Sequence, residues 1–229
     1  MNTTMPLAIF DLDNTLLAGD SDFLWGRFLV DHGFVDAASY DAANRRFYEQ
    51  YNNGELDINE FLRFSLQPLT LHPAEVLHGW RQAFVDDCIR PLVLPAAREL
   101  VNAHAGQGHT TVIISATNRF VTEPIAALFG VDALLSTTPE FVDGRYTGRV
   151  IDTPTFREGK VTALENWLRD QDGDLSEQWF YSDSHNDLPL LQQVTHPVAV
   201  DPDETLREEA RRAGWPIISL REPEYAGAP

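Results

Sequence analysis

The chain has 229 residues, of which 43% are hydrophobic and 23% charged, and this composition is typical of a folded globular protein rather than a disordered one. The formal net charge is −18 and the pI is about 4.6, so nucleic acid and anionic membrane surfaces are excluded as expected partners. A single cysteine, Cys88, excludes an intramolecular disulfide. Because the sequence shows neither a signal peptide nor an apolar run of membrane-spanning length, we expect a cytoplasmic location.

The predicted elements begin with a buried parallel strand at 7–10, where four apolar residues follow one another. Residues 20–90 then show helical periodicity and no convincing strand. One helix is predicted over 56–69, and another begins at Pro73, a residue well suited to a first helical turn. The first part of the chain is therefore one strand followed by an all-helical insert.

After residue 91 the pattern changes to strands that alternate with helices. A hairpin is also predicted within 140–151, because Asp143-Gly144 is a tight-turn pair. The predicted strands are 110–114, 133–135, 179–181, 198–200 and 217–220, and the predicted helices are 96–105, 119–129, 160–169, 188–194 and 203–213. This alternation predicts an α/β fold with a doubly wound, mostly parallel sheet. We expect residues 1–18 and 91–229 to form the core domain and residues 19–90 a helical cap domain.

Two acidic residues follow the first strand. Asp11 and Asp13 are two positions apart, so they start on the same side of an extended chain. They also lie at the carboxyl end of a strand, where open α/β sheets bind ligands. The alternative interpretation is a solvated acidic turn, since aspartate is common in turns.

Three later segments carry polar residues at comparable places. Ser115 ends the second strand and precedes a helix, where a hydroxyl either caps the helix or binds phosphate with the free backbone N–H groups. Asp183 and Asp187 follow a later strand and are four residues apart. Lys160 begins a helix, where its charge opposes the helix dipole, so it is either solvated or used elsewhere.

A parallel sheet would bring these segments to one edge. The four carboxylates would then repel one another unless a hard cation lies among them, and oxygen ligands together with a phosphate substrate favour Mg²⁺. The lone Lys160 adds a second positive charge. The combined pattern indicates a phosphate site.

The ordered set of Asp11-x-Asp13-x-Thr15, Ser115, Lys160 and Asp183-x-x-x-Asp187 resembles the four motifs of haloacid dehalogenase-type phosphohydrolases. The helical insert after the first motif resembles the phosphoserine-phosphatase-like subgroup, subfamily IB. The resemblance implies a phosphatase whose partner is a small phosphomonoester.

The same resemblance implies individual roles. Asp11 would be the nucleophile that forms an aspartyl-phosphate, Asp13 the general acid and then base, and Lys160 the cation that neutralises both Asp11 and the transferring group. Ser115, with Ala116 and Thr117, would bind the phosphoryl oxygens. The implied ligands of Mg²⁺ are Asp11, the backbone carbonyl of Asp13, and Asp183, with Asp187 in support.

The resemblance also bears on the substrate. Asp20 occupies the place of the acidic residue that holds the substrate amine in phosphoserine phosphatases, although it is equally suited to capping a helix. Ser65 stands where those enzymes have an arginine that clamps the substrate carboxylate, and Arg63 would point away. The subgroup includes histidinol-phosphatases, so histidinol phosphate is the expected substrate. The alternatives are phosphoserine, or phosphotransfer on the same fold.

Several further residues have open roles. The insert offers aromatic side chains either for stacking on substrate or for its own core, namely Phe23, Trp25, Phe61 and Phe64. Arg119 would reach either the substrate or its phosphate, or would lie on the surface. His185 is expected to be structural.

Overall fold

In the computed structural model, which describes residues 6–171 and 176–221, seven strands form one sheet in the order β4-β3-β2-β1-β5-β6-β7. All neighbouring strands are parallel except β3 and β4. The strands are β1 (Leu7–Phe10), β2 (Thr110–Asn118), β3 (Ala133–Val142), β4 (Arg145–Ile151), β5 (Gln178–Ser182), β6 (His196–Val200) and β7 (Ile217–Ile218). The predicted α/β fold with a mostly parallel sheet is confirmed.

Helices cover both faces of this sheet. They are α1 (Ser21–Asp31), α2 (Ala37–Asn52), α3 (Ile58–Ser65), α4 (Gln67–Thr70), α5 (Ala74–Phe84), α6 (Pro95–Gly106), α7 (Arg119–Ala126), α8 (Glu158–Arg169), α9 (Leu188–Leu191) and α10 (Glu204–Ala213). A π-helical turn, Val85–Ile89, and a 3-10 turn, Arg90–Leu92, follow α5, and a 3-10 turn, His185–Asp187, precedes α9.

Strand β1 shows why the sheet has two covered faces. Its residues alternate between two apolar clusters, as expected when successive side chains point to opposite faces. Ala8 and Phe10 join the larger cluster with α1, α6 and α7, whereas Leu7 and Ile9 join the cluster with α8, α9 and α10. All four are fully buried, which explains why the strand reads as a continuous apolar run.

Helices α1 to α5 lie between β1 and β2, as the helical periodicity of 20–90 predicted, and we call residues 19–90 the helical insert. An antiparallel bridge between Leu17 and Val93 pairs the two points where the chain enters and leaves it. The larger apolar cluster includes residues of both the insert and the sheet. The predicted domain boundaries remain predictions.

Several predicted elements differ from the structure in extent, and two of them have a clear physical reason. The helix predicted over 56–69 is two helices, α3 and α4, because Pro68 lies in the first turn of α4 and has no N–H to continue the hydrogen bonding of α3. The strand predicted at 133–135 continues as β3 into the hairpin. There Asp143 and Gly144 have φ angles of 50° and 80°, which are the left-handed values of a tight hairpin turn. Over the described residues, no helix combines the length and apolar character needed to cross a membrane.

Candidate active site

The carboxyl ends of β1 and β5 and the start of α8 bring Asp11, Asp187 and Lys160 together. The Lys160 Nζ atom donates to Asp11 Oδ1 at 2.6 Å and to Asp187 Oδ2 at 2.7 Å. The lysine side chain is only 2% exposed. Asp187 also accepts a hydrogen bond from the Ser182 hydroxyl at 2.6 Å. Lys160 is therefore not solvated, and its charge is used inside the site.

Burial and charge act against each other in this triad. Burial alone would lower the pKa of Lys160, but Asp11 and Asp187 outweigh it, so that the pKa of the ammonium is raised. Burial raises the pKa of Asp11 to about 7, although Lys160 acts in the lowering direction. Asp11 is therefore a buried carboxyl group whose charged form is opposed by burial and favoured by the neighbouring Lys160 ammonium.

Asp13 is fixed by two hydrogen bonds from different parts of the chain. Its Oδ1 atom accepts from the backbone N–H of Ser21 at 2.6 Å, and its Oδ2 atom accepts from the Thr117 hydroxyl at 2.7 Å. Burial raises its pKa, while these hydrogen bonds act in the opposite direction. A buried carboxyl with a raised pKa is suited to proton transfer.

The second strand ends in a segment that faces the same site. Asn118, not Ser115, caps α7, because its side chain accepts from the Val121 N–H at 3.3 Å. Ser115 is instead buried, and its Oγ atom accepts from the Thr117 N–H at 3.1 Å. The cap interpretation of Ser115 is therefore wrong, and its hydroxyl lies on the pocket that also contains Asp11 and Asp13.

Asp183 lies beside this group and is held by Thr15. The Thr15 hydroxyl donates to Asp183 Oδ1 at 3.1 Å and accepts from the Asp183 N–H at 3.0 Å. Burial, and then the charges of Asp11 and Asp187, raise the pKa of Asp183 well above its ordinary value. The four predicted carboxylates thus crowd one edge of the sheet with a single ammonium between two of them.

This donor set suits Mg²⁺ in its chemistry. Asp11, Asp13 and Asp183 supply only oxygen atoms, which hard divalent cations prefer, and their mutual repulsion leaves negative charge that Lys160 alone does not balance. Within residues 6–171 and 176–221, no three acidic, histidine or cysteine side chains are already arranged around one metal position.

A pocket with an empty volume of about 550 Å³ lies between the sheet edge and the helical insert. The catalytic side contributes Asp11, Asp13 and the segment Ser115–Thr117. The insert contributes two carboxylates and a group of mainly aromatic and apolar side chains, which are Asp20, Asp22, Phe23, Asn44, Phe47, Tyr48, Tyr51, Leu56, Ile58 and Phe61. Among the described residues that line it, none is an arginine or a lysine.

Asp20 caps α1, as one interpretation predicted, and also lines the pocket; its contact with a substrate amine stays a prediction. Its Oδ1 atom accepts from the Phe23 N–H at 2.8 Å. Burial, and then the charge of Asp13, raise its pKa to about 7. Burial and the charge of Asp20 also raise the pKa of Asp22 well above its ordinary value. These two carboxylates are desolvated and have no cation beside them in the pocket.

The predicted aromatic residues divide into two groups. Phe23 and Phe61 line the pocket. Trp25 and Phe64 do not, because Trp25 is buried against the rings of the larger core and Phe64 packs against Tyr40 and Phe47. Their side chains belong to the packing of the insert, so an interpretation of Trp25 and Phe64 as stacking residues is wrong.

Helix α2 contributes residues that the sequence interpretation missed. Asn44, Phe47, Tyr48 and Tyr51 recur at spacings of three and four positions, which place them on one helical face. That face forms one wall of the pocket. The spacing was readable in the sequence, but nothing in it distinguished a pocket wall from a core face.

The structure places four other residues named in the sequence analysis outside the pocket lining. Arg119 donates to the Leu134 carbonyl at 2.8 Å and lines a separate groove. Ser65 is buried and Arg63 is exposed. His185 pairs with Asp203 at 2.8 Å, which agrees with a structural role.

Comparison with known proteins agrees with this fold. Residues 8–192 match the family model of haloacid dehalogenase-like hydrolases, and the chain belongs to this family. Within the family it is a phosphatase. It is 46% identical over 219 residues to a histidinol-phosphatase of Neisseria meningitidis serogroup C (strain 8013), and the match covers 94% of this chain and 99% of the relative.

Two solved structures extend the comparison. A protein of unknown function from Bordetella pertussis Tohama I superposes with a TM-score of 0.90 at 45% identity, covering 95% of this chain and 100% of that one. A phosphoserine phosphatase described as a phospho-aspartyl intermediate analogue superposes with a TM-score of 0.70 at 18% identity, covering 96% and 95% of the two chains. The second likeness shows a shared fold.

Proposed function

We propose that this phosphatase hydrolyses a small, amine-bearing phosphomonoester, and that histidinol phosphate is its substrate. The observation that carries the proposal is the insert side of the pocket, where Asp20 and Asp22 lie among aromatic rings and no described arginine or lysine lines the cavity. A substrate ammonium would form charge-assisted hydrogen bonds with these carboxylates, and an imidazole would pack on Phe23, Tyr48 or Phe61. The 46% identical relative with the name histidinol-phosphatase supports this assignment.

A substrate carboxylate finds no matching cation in this pocket. Ser65 is buried with a hydroxyl that has no partner in the described residues, and Arg63 is exposed. Burying an unpaired carboxylate costs several kcal/mol, about 3–5 when a partner is missing. Phosphoserine carries such a carboxylate and histidinol phosphate does not, so the pocket favours histidinol phosphate.

For the chemistry, we propose that the Asp11 carboxylate attacks phosphorus and the ester P–O bond breaks. The leaving alkoxide takes a proton from Asp13, whose buried carboxyl holds one more readily than an exposed aspartate. The Asp13 carboxylate then removes a proton from water, which attacks the aspartyl-phosphate and releases inorganic phosphate.

The other residues stabilise charge during these steps. Lys160 offsets negative charge on Asp11 and the transferring group, and the Ser115 hydroxyl with the backbone N–H groups of Ala116 and Thr117 would hold the phosphoryl oxygens. Asp11, Asp13 and Asp183 would hold Mg²⁺, which supplies further charge neutralisation. We also propose that residues 19–90 act as a cap domain that excludes bulk water.

The substrate is tested by phosphate release. We expect kcat/KM for L-histidinol phosphate to exceed that for L-phosphoserine at least about tenfold, equivalent to about 1.4 kcal/mol. Asp20→Asn should reduce this preference by weakening the contact with the amine, while hydrolysis of p-nitrophenyl phosphate stays nearly unchanged. The fold should be kept, because asparagine caps helices as well as aspartate does.

Asp36→Asn is the matched control. Asp36 caps α2 through the Ser39 N–H at 3.0 Å and does not line the pocket, so this variant should keep the wild-type preference. The substrate assignment fails if phosphoserine is the better substrate. It also fails if Asp20→Asn lowers both activities equally, since Asp20 would then be only a helix cap or a support for catalysis.

A further inference from the structure

An arginine with an unusual backbone conformation precedes α8. Arg157 has φ 52° and ψ −120°, which side-chain-bearing residues rarely adopt. The loop is tightly packed beside it, because a Cβ atom at Gly159 would lie 1.9 Å from the Pro154 carbonyl oxygen. Such strained residues persist where the surrounding contacts require them, often at functional sites. The contacts of the Arg157 side chain therefore indicate which interactions require this backbone conformation.

That side chain joins two parts of the fold. Its Nε atom donates to Asn186 Oδ1 at 3.1 Å, and its Nη2 atom donates to the backbone carbonyl of Gly54. The guanidinium carbon lies 5.0 Å from the centre of the Phe156 ring. Gly54 belongs to the helical insert, whereas Asn186 belongs to the segment after β5. One guanidinium thus links the helical insert to the segment after β5.

Asn186 makes a second connection between the core and the helical insert. Its Nδ2 atom donates to the Tyr51 carbonyl at 3.1 Å, and the residue is buried. The next residue, Asp187, accepts the hydrogen bond from Lys160. The turn 51–54 of the insert is therefore connected to Lys160 by two hydrogen bonds through Asn186 and Asp187, and by three when the path begins at Arg157.

The backbone of the turn 51–54 packs closely against side chains of the core. Gly54 has φ 71°, and a Cβ atom there would lie 2.8 Å from His185 Nε2 and 3.4 Å from Arg157 Nη2. Only glycine fits this position without displacing its neighbours. Nearby, Phe47 and Leu56 of the insert form an apolar cluster with Phe156 of the core.

We propose that Arg157 is a positioning residue that clasps the helical insert over the phosphate site and holds Asn186, Asp187 and Lys160 in line. The guanidinium suits this role because its planar fork offers two donors in fixed directions, whereas a lysine offers a single point charge. Arg157 does not line the substrate pocket, so it acts on turnover only through the residues that it holds. The role depends on phosphatase activity and not on which phosphoester is the natural substrate.

The test compares Arg157→Gln and Arg157→Lys with wild type, using p-nitrophenyl phosphate for turnover and hydrogen exchange for the insert. Exchange is measured with Mg²⁺ and beryllium fluoride, which mimics the aspartyl-phosphate. We expect Arg157→Gln to lower kcat/KM at least tenfold and to speed amide exchange at 48–56, with exchange in β1 and β5 unchanged. Arg157→Lys should fall between wild type and Arg157→Gln in both measurements.

Two further variants distinguish the loss of the clasp, which is the contact of Arg157 with Gly54 and Asn186, from general destabilisation. Arg169→Gln removes an exposed arginine from the other end of α8 and should change neither turnover nor exchange at 48–56. Gly54→Ala should also lower kcat/KM and speed exchange at 48–56, and the losses of the double variant should be smaller than the sum of the single losses, because both changes disturb the contact between Arg157 and Gly54. The proposal is overturned if Arg157→Gln loses activity without faster exchange at 48–56, or if the two losses add. Should Arg157→Gln not fold, Arg157→Lys with Gly54→Ala carries the same comparison.

Discussion

Replacing Lys160 by methionine tests the electrostatic account of the site most directly. The change removes the cation between Asp11 and Asp187 but keeps a long apolar side chain at a position that is 2% exposed. At an effective dielectric of about 20, a contact of this length contributes roughly 6 kcal/mol of attraction, most of which offsets the cost of desolvation. Because the variant leaves two buried carboxylates without a cation, we expect the free energy of unfolding to fall by about 3–5 kcal/mol.

Urea unfolding followed by tryptophan fluorescence measures this loss. The experiment needs pH 8 and a chelator, since a divalent cation would replace the missing charge. The loss should shrink in Lys160→Met/Asp187→Asn, where one uncompensated carboxylate is gone. It should also shrink near pH 6, where the carboxyl of Asp11, whose pKa is already raised to about 7, takes up a proton. An unfolding free energy for Lys160→Met within about 0.5 kcal/mol of wild type, the range of ordinary surface substitutions, would refute the reasoning.

Three other predictions concern the nucleophile, the metal and pH. Asp11→Asn should abolish phosphate release with unchanged circular dichroism, because an amide does not attack phosphorus; wild-type-like activity would rule out the mechanism. Activity should disappear with a chelator, return with Mg²⁺ and return poorly with Ca²⁺, whose looser coordination misplaces the nucleophile; full activity after exhaustive chelation would contradict the metal assignment. Burial, and then His109, lower the pKa of His104 from 6.5 to about 4, so its neutral form stabilises the fold above pH 6.5. This contribution, about 3 kcal/mol, is lost as pH falls toward 4. His104→Phe should lack this pH dependence, so the difference in unfolding free energy between wild type and variant should change over this pH range; a difference that does not change with pH would count against it.

The sequence predicted the catalytic edge because its determinants are local. A run of four buried residues in β1 fixes where the strand ends, and Asp11 and Asp13 follow it directly. Asp183 and Lys160 likewise adjoin elements with clear periodicity. The carboxyl ends of parallel strands lie at one edge of the sheet, so the topology alone brings these residues together. The roles implied by the family resemblance rest on the same positions.

The pocket wall and the clasp could not be predicted in the same way, because they depend on contacts between distant segments. The face of α2 that carries Tyr48 and Tyr51 has the periodicity of an ordinary core face. Arg157 gives no local signal, since its partners lie 103 and 29 residues away. Arg119 follows Ser115 closely in sequence, yet the direction of α7 carries its guanidinium to the Leu134 carbonyl.

Lys160 is also the only lysine in the 229 residues, and all other basic side chains apart from histidine are arginines. The only side-chain primary amine of the protein is thus enclosed in the active site, at 2% exposure. Acylating reagents directed at lysine would modify this site or no side-chain amine at all, and the rate of labelling would report how often the pocket opens. Reductive methylation with ¹³C would place one side-chain NMR probe beside Asp11, without competing signals from surface lysines.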